Sequence, residues 1–398
     1  MESPSKAVIT PLRQKPKRGL FYTAHGIDIP LLIILMLLLS IGLVCMFSAS
    51  YVYAGYYDGD SYFYIKKQAL FAVLGIGIMF AASLVDYHIL HHFAIPLMFV
   101  SVGLLALVLF MPSQTGVHRW ISVPGLGQFQ PSELAKFAVI LLFAHLISLN
   151  YKKMKSFRLG FLPFLGILGL VCVLVVREPH LSGTILILGI GIVMMYVGGT
   201  RVAYLGGLIA VGVAGVLFLV IFKGYEQDRI NVWLHPLESF ANEITFEDGI
   251  SGRDHAWQTV QSLYAIGSGG LMGVGLGNSR QKHLFLPEPQ NDFVFAIVCE
   301  ELGLIGAAVI IILFALLVWR GILIAVKAPD KFGSMLAVGI SAQIGIQVIL
   351  NIAVVTNSMP NTGIGLPFFS YGGSSMLMLL AEMGVLLSVS RQSHLKKE

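Results

Sequence analysis

Three acidic residues stand at the start of one long apolar segment. Asp292 ends the polar stretch LPEPQND, and Glu300 and Glu301 follow inside the apolar run. Residues eight apart on an α-helix lie about 80° apart around its axis, so we expect Asp292 and Glu300 to share a cavity and Glu301 to find another partner. A carboxylate at a helix N-terminus is held ionised, which suits it to accept a proton or bind a cation. The structural alternative is a simple N-cap.

A basic and an acidic residue lie close together at the start of another apolar run. Lys136 follows Glu133 by three residues in the stretch QPSELAK. This spacing allows an i,i+3 ion pair that satisfies both charges near the membrane surface. It equally allows a cation held at the rim of a site to meet an anion. The residues alone leave both interpretations open.

Other polar residues lie within apolar runs, where an ionisable group is costly unless it is paired or hydrated. Glu382 has no partner nearby in the sequence, so we expect it to face the interior of a helix bundle. Gln343, Gln347 and Asn351 follow one another at intervals of four and form one polar stripe on a helix. The stripe indicates either hydrogen bonding between helices or a path for a ligand.

Membrane-spanning helices must position these residues. The 398-residue chain is 56% hydrophobic and only 12% charged, whereas soluble domains are roughly 25% charged. A helix needs about 20 apolar residues to cross a bilayer. Ten runs approach that length: 29–50, 68–85, 94–111, 132–149, 160–176, 181–198, 202–222, 293–319, 332–356 and 374–390. The sequence therefore predicts an all-α polytopic membrane protein with ten transmembrane helices.

The basic residues predict the orientation of these helices. With ten spans both termini share one side, and that side holds 16 of the 26 Lys and Arg residues. The positive-inside rule then places both termini in the cytoplasm. We expect a basic cytoplasmic tail at 1–28, a single membrane domain at 29–390 and a second tail at 391–398. A long outer loop, 223–291, would join the seventh and eighth helices.

Several patterns point away from other kinds of site. The glycine-rich segment Gly267–Asn278 lacks the spacing of a phosphate loop, so we expect a close-packed turn or re-entrant element. The cysteines, Cys45, Cys172 and Cys299, all lie in apolar runs and predict core packing. The histidines at 88–92 favour a structural role over a metal site. A net charge of +5 spread over cytoplasmic linkers does not indicate nucleic-acid binding.

Three long stretches resemble the SEDS family, which includes FtsW, RodA and SpoVE. They are HRWI…FQPSELAK at 118–136, the stretch at 256–307, and GIGLPFFSYGGSS at 363–375. The sequence of the second stretch resembles the FtsW and SpoVE branch more closely than RodA. The resemblance implies a peptidoglycan glycosyltransferase of the bacterial plasma membrane that polymerises lipid II on the outer face. It also implies a class B penicillin-binding protein as partner, alongside other division or sporulation proteins.

The resemblance also implies roles for individual residues. Asp292 would be catalytic, either as the base or as a ligand of a divalent cation such as Mg²⁺ or Mn²⁺. No other cofactor is expected. The substrate-binding residues would be Arg119, Gln130, Lys136, Glu300, Ser370, Gly372, Gly373 and Ser374.

One turn departs from the family pattern, and two other functions compete with the enzyme. The turn EPHLSGT, Glu178–Thr184, has His180 where the family often has Asp, and Glu178 is the candidate to compensate. A lipid II flippase would also have ten spans, but a transporter is expected to show inverted repeats, and the two halves do not match. A scaffold that only recruits a penicillin-binding protein would tolerate Asp292→Asn.

Overall fold

The structure, a computed structural model, describes residues 26–111, 119–123, 127–178, 181–223, 227–241 and 252–393. The predicted tails at 1–28 and 391–398 lie largely outside the described residues. So do His180 and part of the predicted loop at 223–291.

Helices make up most of the described structure. Eight of them are long and apolar enough to cross a membrane, and shorter apolar stretches lie at Leu181–Val197 and Val202–Gly212. The helices that match the predicted spans in order are α1 (Ile29–Tyr57), α2 (Phe63–Leu84), α3 (Leu90–Leu109), α4 (Pro131–Asn150), α5 (Leu162–Arg177), α6 (Leu181–Val197), α7 (Val202–Lys223), α11 (Val294–Lys327), α12 (Lys331–Val355) and α13 (Gly373–Gln392). Ten membrane crossings and cytoplasmic termini stay predictions.

Short elements fill the segments between these helices. The predicted long loop contains α8 (Gln227–Leu234), α9 (Pro236–Ala241) and α10 (Gly252–Gly269). Before α4, strands β1 (Ile121–Val123) and β2 (Gly127–Phe129) pair antiparallel, with Ile121 opposite Phe129. The all-α prediction did not include this hairpin, which places residue 119 beside the start of α4.

Close approach of backbones holds α2 against α13. A Cβ at Gly384 would lie 2.5 Å from the Met79 carbonyl oxygen, and one at Gly75 would lie 2.4 Å from Leu380. Small residues allow this contact between membrane helices, where packing rather than hydrophobic burial drives association. The pairing fixes the start of α2 next to the loop that precedes α13.

The helix α11 is interrupted at Gly303, which has a φ of 66°. The glycine-rich segment before α11 fits into this break. Its amides donate from Val274 to the Glu300 carbonyl (3.0 Å) and from Gly275 to the Glu301 carbonyl (3.0 Å), and the Leu304 amide donates back to Gly270 (3.0 Å). Non-helical backbone near a membrane must be paired within the protein. The prediction of a close-packed turn is therefore confirmed.

Polar residues inside the bundle are paired between helices. Glu382 faces the interior, as predicted, and accepts a 2.7 Å hydrogen bond from Gln343 Nε2. Just before the first residue of α3, His88 lies 2.6 Å from Asp86 and 3.0 Å from Asp330. These contacts support the structural role expected for the histidines. The three cysteines are buried, as expected.

Candidate active site

One cavity of about 1190 Å³ gathers residues that are distant in the sequence. It lies where the turn before α11, the hairpin before α4, the loop before α13 and the start of α2 meet. Of the predicted site residues, those that line it are Arg119, Gln130, Lys136, Asp292, Ser370, Gly372 and Gly373. The cavity therefore unites all three sequence stretches that carried the family resemblance.

Asp292 lies just before α11 and is held through its own backbone. Its carbonyl oxygen accepts a 2.8 Å hydrogen bond from Asn351 Nδ2, and the same amide donates to the Ile364 carbonyl at 2.7 Å. The Asp292 carboxylate packs against glycine, since a Cβ at Gly363 would lie 3.2 Å from Oδ2. Gly363 also has a φ of 69°, a backbone conformation that residues other than glycine rarely adopt.

The surroundings of Asp292 favour its protonated form relative to water. Burial raises the pKa of Asp292 to about 6, the nearby charge of Glu288 adds to this rise, and Arg119 opposes it. No described residue donates a hydrogen bond to the carboxylate. A group with a pKa near 6 is ionised at neutral pH yet can take a proton during a reaction.

Arg119 joins the hairpin to the turn after α5. Its Nε donates a 3.0 Å hydrogen bond to the Glu178 carbonyl oxygen. Burial raises the pKa of the Glu178 carboxyl to about 8, although Arg119 lowers it. No described residue donates to that carboxyl. Arg119 thus acts electrostatically on both Glu178 and Asp292, while a compensating role for Glu178 stays a prediction.

Lys136 and Glu133 form the ion pair that their spacing allows, and a role of Lys136 in meeting an anion stays a prediction. They form an ion pair of 2.8 Å, with only 4% and 7% of the two residues exposed. Both also line the cavity. Ser375 Oγ donates to Glu133 at 3.2 Å, so the pair is tied to the start of α13.

The loop before α13 is held from two sides. Gln68 of α2 donates to the Ser370 carbonyl at 3.1 Å and accepts from the Gly372 amide at 3.2 Å. On the other side, Gln347 of the polar stripe donates to Gly365 at 2.9 Å. The stripe makes hydrogen bonds to loops and helices, and Gln347 also lines the cavity, so both interpretations of the stripe stay open. Ser374 is buried at the start of α13 and is not among the cavity-lining residues.

The expectation that Glu300 shares a cavity with Asp292 is wrong. Asp292 precedes the first residue of α11, so a helical angle does not relate the two side chains. Glu300 instead accepts hydrogen bonds from Ser279 Oγ (2.5 Å) and the Arg280 amide (2.9 Å). It therefore fixes the turn that precedes Lys282.

Glu301 finds a different partner, as predicted. Lys282 Nζ lies 2.9 Å from Glu301 Oε1, and Ser48 Oγ of α1 donates to the same carboxylate at 2.7 Å. Lys282 also donates to the Gly277 carbonyl at 2.6 Å. We refer to Ser48, Ser279, Lys282, Glu300 and Glu301 as the Lys282 cluster.

Sequence reasoning missed some residues that line the cavity. Lys67 lies in the second turn of α2, but the predicted span began at residue 68, which left Lys67 in a linker. Glu288 and Tyr371 also line the cavity. Both lie beside predicted residues in the motifs, so proximity in sequence was the available signal.

The residues that line the cavity include oxygen donors for the predicted divalent cation. In the described part of the chain no group of three or more His, Cys, Asp or Glu side chains is placed to hold a metal ion. Asp292 and Glu288 are two carboxylates that line one cavity and interact electrostatically. Oxygen ligands of this kind suit Mg²⁺, which usually takes its other ligands from phosphates and water.

Comparisons with known proteins show what the chain is similar to. The family described as cell cycle protein (FtsW, RodA, SpoVE) matches residues 29–395. The chain is 45% identical to stage V sporulation protein E of Bacillus subtilis strain 168 over 92% of the chain and 97% of the relative. It is 39% identical to the probable peptidoglycan glycosyltransferase FtsW of Geobacter sp. strain M18, with the same coverage.

Solved structures share the fold. A chain of a peptidoglycan synthase complex that coordinates polymerization and crosslinking matches with a TM-score of 0.72 and 24% identity. The match covers 93% of this chain and 99% of that one. The rod shape determining protein RodA of Thermus thermophilus matches with a TM-score of 0.65 and 25% identity, over the same shares of the two chains.

Proposed function

Because the chain belongs to the FtsW, RodA and SpoVE family of cell cycle proteins, we propose that it is a peptidoglycan glycosyltransferase that polymerises lipid II into glycan strands. Relatives named as such enzymes support the activity. The observation that carries the proposal is the single cavity in which Asp292 meets Arg119 and Lys136. The protein is a multi-pass plasma-membrane protein.

The reaction joins two lipid-linked saccharides. The 4-hydroxyl of one sugar attacks the anomeric carbon of the growing chain with inversion. The new glycosidic C–O bond forms as the bond from that carbon to the lipid diphosphate breaks. Asp292 takes the hydroxyl proton as the general base. Arg119 and Lys136 supply positive charge where the diphosphate leaves with the bonding electrons.

A divalent cation is the alternative role for the same acid. Asp292 and Glu288 would hold it from the protein side. Such an ion would supply positive charge to the diphosphate oxygens. Arg119 and Lys136 would keep their role in binding the same anion.

The depth of the cavity along the helices supports catalysis at the level of the lipid headgroups. On α1, Asp28 binds Arg320 of α11 (2.7 Å), and Ser48 binds Glu301 of α11 (2.7 Å). The two levels are separated by about 30 Å along each helix, which is about the thickness of the hydrocarbon core. Asp292 lies beyond the Ser48 level. With ten crossings and cytoplasmic termini, that side is the outer face.

We propose a class B penicillin-binding protein as the partner, acting in cell division or sporulation. The fold shared with a peptidoglycan synthase complex that couples polymerization to crosslinking supports this pairing. The relatives named FtsW and stage V sporulation protein E support the two cellular roles.

The test is lipid II polymerisation by the purified protein with its cognate penicillin-binding protein, wild type against Asp292→Asn. We expect the variant to lose at least about a hundredfold in rate, the usual contribution of a positioned base, while the complex stays intact. Asp60→Asn is the control, because Asp60 is exposed and pairs with Lys66 away from the cavity.

Other outcomes would decide between functions. Equal glycan from wild type and Asp292→Asn would make the Asp a cap and the base another group. No glycan from either, with lipid II moving across liposomes, would replace the enzyme with a flippase. No glycan and no transport, with the partner's crosslinking stimulated, would indicate a scaffold.

A further inference from the structure

We propose that Lys67 forms a second diphosphate-binding subsite, which holds the lipid-linked substrate that does not lose its diphosphate in the reaction. This inference rests on the proposed function. A polymerase that joins two lipid-linked saccharides must bind two diphosphates at once. The cations already assigned, Arg119 and Lys136, both serve the leaving group.

The side chain of Lys67 is available for an anion. It lines the cavity from α2, and its Nζ lies 3.8 Å from the centre of the Phe63 ring. Among the described residues no carboxylate lies within ion-pair distance of it. Lys136, in contrast, is already paired with Glu133 at 2.8 Å. Lys67 therefore brings an uncompensated positive charge to the cavity, and lysine binds phosphates as a point charge.

The neighbouring Lys66 is not available for an anion in the same way as Lys67. Lys66 binds Asp60 at 2.8 Å and is absent from the described residues that line the cavity. The two side chains are adjacent in sequence and both are exposed. They differ in their partners and in the surface they face, so they form a matched pair for experiment.

Gln68, the next residue, fixes the position of Lys67 beside the cavity. Gln68 is buried and binds the backbone at both Ser370 and Gly372. Ser370 and Gly372 themselves line the cavity. The second turn of α2 is thus bonded to the loop that forms the cavity wall, and Lys67 is held at a defined place beside it.

An apolar face below Lys67 matches the rest of a lipid substrate. Leu70 and Phe71 line the cavity one turn further along α2, and Leu74 and Ile78 continue that face and are exposed. Residues at these intervals lie on one side of a helix. Lys67 lies about 25 Å along α2 from Leu84, which is close to headgroup level. A diphosphate at Lys67 would leave an isoprenoid chain lying along α2.

Kinetics of lipid II polymerisation by the complex with its penicillin-binding protein test the subsite. We expect Lys67→Gln to raise the KM for lipid II by about tenfold to a hundredfold, as for a lost hydrogen bond to a charged group, with a smaller change in kcat. Lys66→Gln should stay within about twofold of the wild type. Lys67→Arg, which keeps the charge, should restore most of the affinity.

Binding measurements identify the source of the anion. The probes are undecaprenyl diphosphate and phosphatidylglycerol, each added to the purified protein in nanodiscs of neutral lipid. The proposal expects Lys67→Gln to weaken binding of the first probe by about tenfold or more and to leave the second unchanged. Equal loss for both probes would make the site a general phospholipid contact and would overturn it.

The result is separable from the fate of the proposed function. If Lys67→Gln behaves like Lys66→Gln while Asp292→Asn is inactive, the subsite is wrong and the enzyme stands. If Asp292→Asn is fully active, the catalytic proposal fails whatever Lys67 does. An unchanged melting temperature of Lys67→Gln is expected, since the side chain is exposed. A kcat loss without a change in KM or binding would also overturn the subsite.

Discussion

Asp292 and Glu301 are separated by one short stretch of α11 but have different surroundings. Glu301 is bonded to Lys282 and Ser48 within the Lys282 cluster. The Asp292 carboxylate receives no hydrogen bond from a described residue and has its pKa raised to about 6. Lys282 and Lys67 differ in the same way, because only Lys282 is paired with an acid. The charges of the Lys282 cluster, satisfied away from the cavity, stabilise the fold, and charges left unsatisfied at the cavity are suited to a ligand.

The largest expected effect comes from breaking the Lys282 cluster. Lys282→Met would leave Glu301, which is only 2% exposed, without its cation. Removing one partner of a buried ion pair costs about 3–5 kcal/mol. We therefore expect a large drop in the melting temperature of the purified protein in detergent.

Two controls separate this effect from a general one. Lys66→Met removes an exposed pair and should cost no more than about 1 kcal/mol. The double variant Lys282→Met, Glu301→Leu should recover much of the stability, because no charge is then left unpaired. A Lys282→Met protein that melts like the wild type would show that the cluster is not a stabilising element.

A smaller effect is expected from the residue that holds Asp292. Asn351→Leu removes the donor to the carbonyl oxygens of Asp292 and Ile364. A buried acceptor left unsatisfied costs about 1–3 kcal/mol. The lost hydrogen bond should also displace the Asp292 carboxylate. The rate per folded molecule should then fall by about tenfold to a hundredfold.

The background of Asp292→Asn tests whether Asn351 acts through the acid. In that background Asn351→Leu should cause no further loss of rate, whereas independent effects would multiply. A full additional loss would assign Asn351 to another part of the reaction. The amount of folded protein should be measured for every variant, since a purely structural role would change only that amount.

Hydrophobicity predicted the helices in order but not their ends. The first predicted span was 29–50, whereas α1 continues to Tyr57, and the eighth was 293–319, whereas α11 continues to Lys327. Hydropathy indicates which residues can lie in lipid. A helix can continue beyond the bilayer where other parts of the protein pack against it. Start and end residues of such helices therefore depend on tertiary contacts.

The same limit explains which residues the sequence placed correctly at the cavity and which it did not. Asp292, Arg119 and Lys136 were predicted because motifs and charges at membrane depth are visible in the sequence. Glu300 was misplaced because the turn at 279–282 folds back onto it, and no periodicity encodes that contact. Lys67 was missed because it follows Lys66 directly, and this charged pair ended the linker before the predicted span that began at residue 68.

The smallest expected effect is a pH dependence that separates Asp292 from the paired acids. As the base, Asp292 must be ionised, so with a pKa of about 6 the rate should fall as pH drops through 6. Between pH 7 and pH 5 the ionised fraction falls by about tenfold. Measured as kcat/KM for lipid II, the profile should show one acid limb near that pKa.

The effect on stability should have the opposite sign. A folded pKa of about 6, above the ordinary Asp value of 3.8, means that the folded state binds the proton more tightly, so the Asp292 carboxyl stabilises the fold at low pH. That contribution is lost as pH rises from about 4 through 6. Asp292→Asn should therefore melt higher than the wild type at pH 8, and the difference should shrink below pH 4. A wild type that is the more stable of the two at pH 8 would mean that the carboxylate is satisfied within the fold, as Glu301 is.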